Sequence, residues 1–124
     1  MSKDLIARAL HVIVGLGLLN VWLLRARAST SYRGSGAQTL REEFSAYGLP
    51  AAAFYAVGAL KISAAVILLA ALWMPMPERL AAIVVAGLMV GAIAMHVRVK
   101  DPARKSVPAV LMLAMCIGIV MMPL

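Results

Sequence analysis

Apolar residues run along this chain in four long, nearly unbroken stretches: about Leu5 to Leu24, Pro50 to Trp73, Leu80 to Val97 and Val107 to Leu124. Each is long enough to cross a hydrocarbon core about 30 Å thick as a helix rising about 1.5 Å per residue. None alternates polar and apolar positions with the period of about two that a barrel wall requires, so strands are not expected. A helix also satisfies its own backbone groups, which lipid demands of any spanning segment. The pattern predicts an all-α, four-transmembrane-helix bundle, a single integral membrane domain over residues 1–124.

The breaks between the stretches differ in kind. Met74-Pro75-Met76-Pro77-Glu78-Arg79 is a tight turn whose prolines stop the second helix, while Pro77 and Glu78 suit the start of the third. Val99-Lys100-Asp101-Pro102 separates helices three and four in the same way. The first connection, Arg25 to Gly48, is the one sizeable polar piece. Its front half, residues 28–36, reads as loop. Its back half predicts a short interfacial helix between helices 1 and 2. There Thr39 and Glu42 form a capping-box pattern, Leu40, Phe44 and Tyr47 share a face, and Gly48 suits the C-terminal cap. Lys3 and Arg8 ahead of an apolar run, with Ala26-Arg27-Ala28 after it, resemble a signal peptide. The run is longer than a signal core, and it is expected to be kept as the first helix.

Composition agrees with this partition. Of 124 residues, 64% are hydrophobic and 14% charged, with a mean hydropathy of +0.95. A soluble domain is about 45–50% apolar and roughly 25% charged, so an ordinary water-soluble fold is excluded, and so is disorder. Cys116 is the one cysteine, which excludes an internal disulfide or a CxxC redox pair. The net charge of +7 is unevenly placed. Arg25, Arg27, Arg33, Arg41, Arg98, Lys100, Arg104 and Lys105 flank the first and third connections, against Lys3, Arg8 and Arg79 elsewhere outside the spans. The charge therefore reports topology and anionic headgroups, not nucleic acid. The positive-inside rule puts those two connections in the cytoplasm and both termini outside.

The twelfth cation, Lys61, lies near the centre of the second span, too deep for its stem to reach either interface. A charge there costs at least about 2.5–3.5 kcal/mol, so an ionisable residue so placed points to function first. Its partner is open. All five acids (Asp4, Glu42, Glu43, Glu78, Asp101) sit at or beyond span ends. Lys61 is then neutral, or meets an anionic ligand, or meets another subunit, or is reached by Glu42 or Glu43 if the interfacial segment dips inward. His11 stands near the middle of the first span, where it is expected to share a depth with Lys61, and Asn20, nine positions on, faces the opposite side. His96 ends the third span, placed to exchange protons or hold a ligand headgroup. Gly58 shares a face with Phe54, Lys61 and Ala65 and leaves room beside the lysine; Gly87 and Gly91 form a small-xxx-small stripe suited to helix packing. Trp22 and Trp73 sit at span ends, as interfacial aromatics do. Met112, Met115 and Cys116 share a face that soft metals favour, yet methionine is an ordinary apolar filler, and no metal site is expected. Walker, dinucleotide-binding, paired-carboxylate and triad patterns are missing, so no catalytic residues are assigned.

Tyr47-Gly48-Leu49-Pro50, Gly58-Ala59-Leu60-Lys61, Gly91-Ala92-Ile93-Ala94-Met95-His96 and Asp101-Pro102-Ala103-Arg104-Lys105 with Pro108 occur in that order along the chain. In these segments the chain resembles the DoxX-like family of small four-helix bacterial membrane proteins. The resemblance implies a bundle in the bacterial inner membrane and, from the family's namesake and relatives, association with quinone-linked oxidoreductases and oxidative-stress complexes. Quinone is the cofactor it suggests, with Lys61, His96, His11, Tyr47 and Gly58 the ligand-binding candidates and the lipid bilayer, a redox partner subunit or a second copy as partners. The expected function is an accessory subunit that leaves catalysis to its partner. A structural or assembly subunit, and a small transporter or binder of an anionic or lipophilic ligand, are the alternatives. A reporter active only in the cytoplasm is expected to stay silent when fused after Leu124 and to work when placed in the first connection.

Overall fold

A computed structural model describes residues 2–25 and 32–124. The 28–31 part of the expected loop and the Ala26-Arg27-Ala28 segment fall outside the described residues. Helix α1 spans Lys3–Leu19, with Ser2 as its N-cap accepting from the Leu5 N–H at 3.2 Å. It continues as a wider π-helical segment over Asn20–Leu24, closed by a bond of 2.8 Å from the Arg25 N–H to the Asn20 carbonyl. Helix α2 is the short Leu40–Ala46, α3 is Ala51–Ala70, α4 is Glu78–Arg98 and α5 is Val107–Met121. Single turns of tighter 3-10 helix occupy Gly34–Gly36 and Ala103–Ser106. Strands do not occur among the described residues.

Four of these helices, α1 with its π segment, α3, α4 and α5, are long and apolar enough to cross a membrane. Their limits follow the breakers. Pro50 precedes α3, Pro77 stands at the cap of α4, and Pro108 lies in the first turn of α5, where its missing N–H costs nothing. The second span therefore stops at Ala70, short of Trp73, because a turn over Ala71–Trp73 prepares the Met-Pro connection. The fourth stops at Met121, ahead of Pro123.

The helices form a ring in which α1 packs on α3 and α5, and α4 packs on the same two from the far side. Small residues set the spacing. Ala64, Ala65, Ala81 and Ala82 are buried with Val14, Leu68, Val85, Cys116 and Ile119 in one core. Gly15 lets α3 close in, since a Cβ there would lie 2.7 Å from Leu69 Cγ and 3.3 Å from the Ala65 carbonyl. Outward positions such as Leu16, Val66, Ile83, Val90 and Leu111 are equally apolar. In lipid the outside of a bundle is no more polar than its inside, so packing rather than hydrophobicity separates core from surface. Gly87 and Gly91 are on that outer surface, with open space around both. Their stripe packs against no helix among the described residues.

The ring has two unlike ends. One carries the first connection, α2 and the α4–α5 turn. The other carries the Met-Pro connection together with the first and last residues described. At this second end Arg8 and Arg79 donate to the carbonyls of Leu72 and Val120, and His11 is wholly buried. His11 Nδ1 donates to the Ala7 carbonyl at 2.7 Å, and Nε2 pairs with Glu78, whose other oxygen accepts from the Leu124 N–H at 2.6 Å. His11 therefore does not share a depth with Lys61. The first residue of α4 brings a carboxylate inward and fixes the imidazole at the end away from Lys61 and His96.

Replacing Gly15 with Val is expected to destabilise the bundle by about 1–3 kcal/mol through overpacking against Leu69. Gly87→Val, made into open space, should leave the thermal midpoint in detergent close to wild type. Equal midpoints for the two variants would contradict the packing described.

Candidate functional site

The first end is closed by α2, and local sequence decides how. Thr39 accepts from the Glu42 N–H and Glu42 accepts from the Thr39 N–H, both at 3.1 Å, which completes the capping box. At the other terminus Gly48, at φ +79°, completes a Schellman turn: its N–H reaches the Ser45 carbonyl at 2.9 Å and the Leu49 N–H reaches Phe44 at 3.0 Å. A seven-residue helix cannot hold itself in place. Aromatic rings do so. Phe44 of α2 meets Trp22 edge-on at 5.8 Å between ring centres and Phe54 of α3 at 5.5 Å, while Trp22 and Phe54 lie 5.2 Å apart.

Docked in this way, α2 turns Glu43 and Tyr47 inward onto α4, where both are buried. The Tyr47 hydroxyl donates to Glu43 at 2.6 Å and stands 3.5 Å from the His96 ring nitrogens. Arg33 approaches Glu43 at 3.5 Å and donates to the Arg25 carbonyl at 2.7 Å. Gly34 permits the contact, since a Cβ there would sit 2.6 Å from ring carbons of Tyr47. Beyond His96 the chain reverses through a second Schellman turn with Lys100 in the left-handed position at φ +60°, which costs a side-chain-bearing residue about 1 kcal/mol. That turn folds Asp101 back so that its carboxylate accepts from His96 Nδ1 at 2.8 Å. Asp101 also accepts from the Ser35 N–H at 3.0 Å and lies 3.7 Å from Lys105, which donates to the Arg33 carbonyl.

Charge is arranged in a chain: Lys105 with Asp101, Asp101 with His96, His96 with Glu43 at 3.9 Å, Glu43 with Arg33. Burial opposes ionisation of Asp101, but the hydrogen bonds from His96 and Ser35 and the charge of Lys105 outweigh it and hold its carboxyl below the usual carboxylate range. Burial, with the Glu43 carboxylate beside it, pushes the Tyr47 phenol up, so it keeps its proton. A carboxylate on Nδ1 fixes His96 as a donor there. Its Nε2 lies on the side of Glu43, 3.9 Å from that carboxylate.

Beneath this cap lies a cavity of about 600 Å³ that reaches down among α1, α3, α4 and α5. Its wall is mainly apolar, with Leu18, Met89, Ala109 and Met112, and its polar edge includes Asn20, Glu43, Lys61 and His96. The π-helical segment shapes it, because the wider turn swings Trp22 inward to occupy the space left by Gly58, 2.8 Å from where a Cβ would be. Lys61 Nζ then rests 5.4 Å from the centre of the Trp22 ring, a cation–π contact. No hydrogen bond or ion pair holds this ammonium among the described residues. The interfacial segment does bring Glu43 to the same cavity, but that carboxylate is taken by Tyr47 and Arg33.

The DoxX-like family model matches residues 18–118, from the last residues of α1 into α5. The chain belongs to the DoxX-like family. Comparison with curated proteins and with solved structures finds no match. The DoxX-like match takes in α2, α3, α4 and most of α5, so all the ordered motifs lie within it, as does every cavity-lining residue except Gly17. Multi-pass membrane insertion follows from the family together with the four long apolar helices.

Of the residues singled out in the sequence, Lys61, His96, Tyr47 and Gly58 gather at this one end; His11, Gly87 and Gly91 do not. Sequence reasoning passed over Arg33, Asp101 and Lys105 as members of the cluster. One signal was available: Asp101 opens the family-like segment directly after the turn that ends α4. Glu43 likewise sits one helical turn before Tyr47, on the face toward the bundle.

Because the Asp101 carboxyl is held low in the folded protein, its stabilising contribution is complete above the ordinary carboxylate pKa, about 3.9, and is lost as pH falls through the lower folded value. Asp101→Asn is expected to lower the thermal midpoint near neutrality and to flatten its fall on acidification below about pH 4. An acid limb identical to wild type would show that Asp101 is not held in this way.

Proposed function

We propose that this DoxX-like protein is a quinone-binding accessory subunit of the bacterial inner membrane, with the capped end toward the cytoplasm as the charge asymmetry suggests. One observation carries the reading: a mainly apolar cavity within the spanning helices is edged by an ammonium that no acid among the described residues pairs with and by an imidazole oriented by a carboxylate. The cavity fits a flat ring with an apolar tail in size and in wall chemistry. A quinone supplies a two-electron, two-proton redox couple when bound.

The residues of the chain divide the work. Lys61 presents positive charge to an oxygen that gains electron density, where a low-dielectric wall makes that charge count for more than it does in water. His96, held through Nδ1 by Asp101, offers Nε2 as the exchangeable proton site. Glu43, Tyr47 and Arg33 hold that imidazole in place and screen the cavity from water above. Electrons come from a partner protein docked on the bundle.

Protein purified in native lipid discs is expected to carry extractable quinone in near-stoichiometric amount. Lys61→Ala should reduce that occupancy by about tenfold, equivalent to about 1.4 kcal/mol, while Val110→Ala on the outer face of α5 leaves it unchanged. Quinone missing from wild-type discs, or retained fully by Lys61→Ala, would remove the proposal.

A further inference from the structure

Every charged side chain that closes the cavity, apart from Lys61, has its charge answered. Arg33 is committed to Glu43 and to the Arg25 carbonyl, Lys105 to Asp101 and the Arg33 carbonyl, and Glu43 to Tyr47 and Arg33. Arg25 stands exposed at the rim, where water and headgroups reach it. Among the described residues Lys61 has a π face and no acid paired or hydrogen-bonded to it; the Glu43 carboxylate acts on it only across the cavity. A ring quadrupole offsets only part of the cost of holding an ammonium within a span. With Asp101 counted against Lys105, the cations Arg25, Arg33, Lys61 and Lys105 still outnumber the carboxylates Glu43 and Asp101, so the field inside is positive.

The mouth of the cavity bears on what can reach it. Gly17 packs toward Met112 where α1 meets α5, and the π segment that follows is not in comparable contact with α5. Asn20 and Val21 on one side and Pro108 on the other are both exposed and part of the lining. That opening lies along the flank of two spanning helices, where an apolar molecule dissolved in the bilayer arrives without crossing water.

We infer that the cavity selects an anion: a membrane-dissolved apolar molecule carrying one acidic oxygen group, which pairs with Lys61. This rests on the cavity being the ligand site proposed above, and it adds that the charged form binds in preference to the neutral one. The ionised hydroxyl of an acidic quinonoid and the carboxylate of a fatty acid share this chemistry.

Binding can be read from Trp22 in a Trp73→Phe background, because Trp73 is exposed at the opposite end of the bundle. The full chain is placed in phosphatidylcholine nanodiscs and titrated with two matched pairs of quenchers, corrected for partition into the lipid. The first pair is lawsone, a hydroxynaphthoquinone ionised at neutral pH, and menadione, its neutral methyl counterpart. The second is a brominated fatty acid and its methyl ester.

The expected result is that an anionic member quenches Trp22 at a concentration about tenfold below that of its neutral partner. Lys61→Met should erase the preference and Lys61→Arg should keep it. Preference for lawsone supports the inference together with the quinone reading. Preference for the fatty acid with no quenching by either naphthoquinone supports the inference and removes the quinone reading. Equal binding of menadione and lawsone, or a preference that survives in Lys61→Met, overturns the inference while leaving quinone binding intact. Absence of quenching by all four removes both. If Lys61→Met does not fold, the wild-type comparison of charged and neutral partners decides alone.

Discussion

An ammonium group held within a span has to be given a low-lying electrostatic environment, and the upper half of this bundle is organised around Lys61. Gly58, one turn before it, removes a side chain so that Trp22 can come in beside the lysine. The π-helical segment at the end of α1 carries Trp22, which is buried in that space. The same indole forms the platform on which Phe44 docks, so the lysine's aromatic neighbour is also what holds α2 over the cavity. Deleting any one of these features would leave the others without their geometric reason.

The cap answers a second demand, that polar groups near the hydrocarbon be satisfied by protein. Glu43, His96, Asp101, Arg33 and Lys105 are drawn from α2, α4, the α4–α5 turn and the residues before α2, and each is answered by another member or by a backbone group. The left-handed Lys100 accepts a conformational cost to return Asp101 to His96. The far end solves its own problem separately with His11 and Glu78. Two buried imidazole–carboxylate pairs thus stand at opposite ends of one bundle, and only one borders the cavity.

Much of this could be anticipated from the residues and some could not. The capping box at Thr39 and Glu42 and the glycine cap at Gly48 are local, fixed by side chains within a few positions, and the structure repeats them. His11 defeated the sequence reading because its partner, Glu78, lies 67 positions away, at the start of another helix. Gly87 and Gly91 carry the same small-residue signature as Gly15 and Gly58, yet they face outward. In a helix apolar on every side, nothing local tells which face will meet a neighbour. The membership of Arg33 and Lys105 was hidden for a related reason: on the chain they are ordinary basic residues flanking spans, and only the fold turns them inward.

By itself the sequence determined the solvent, the number of spans, their limits to within a few residues, the short helix between the first two and the family. Those properties follow from run length, hydropathy, breakers and caps, which act over neighbouring residues. Tertiary structure alone decided what surrounds Lys61, which glycines are contact points, which histidine shares an end with it, and that a cavity is left between α1 and α5. Each of those depends on how the helices are rotated and paired, and in an apolar bundle that is set by close packing and buried charge pairs rather than by any pattern along the chain.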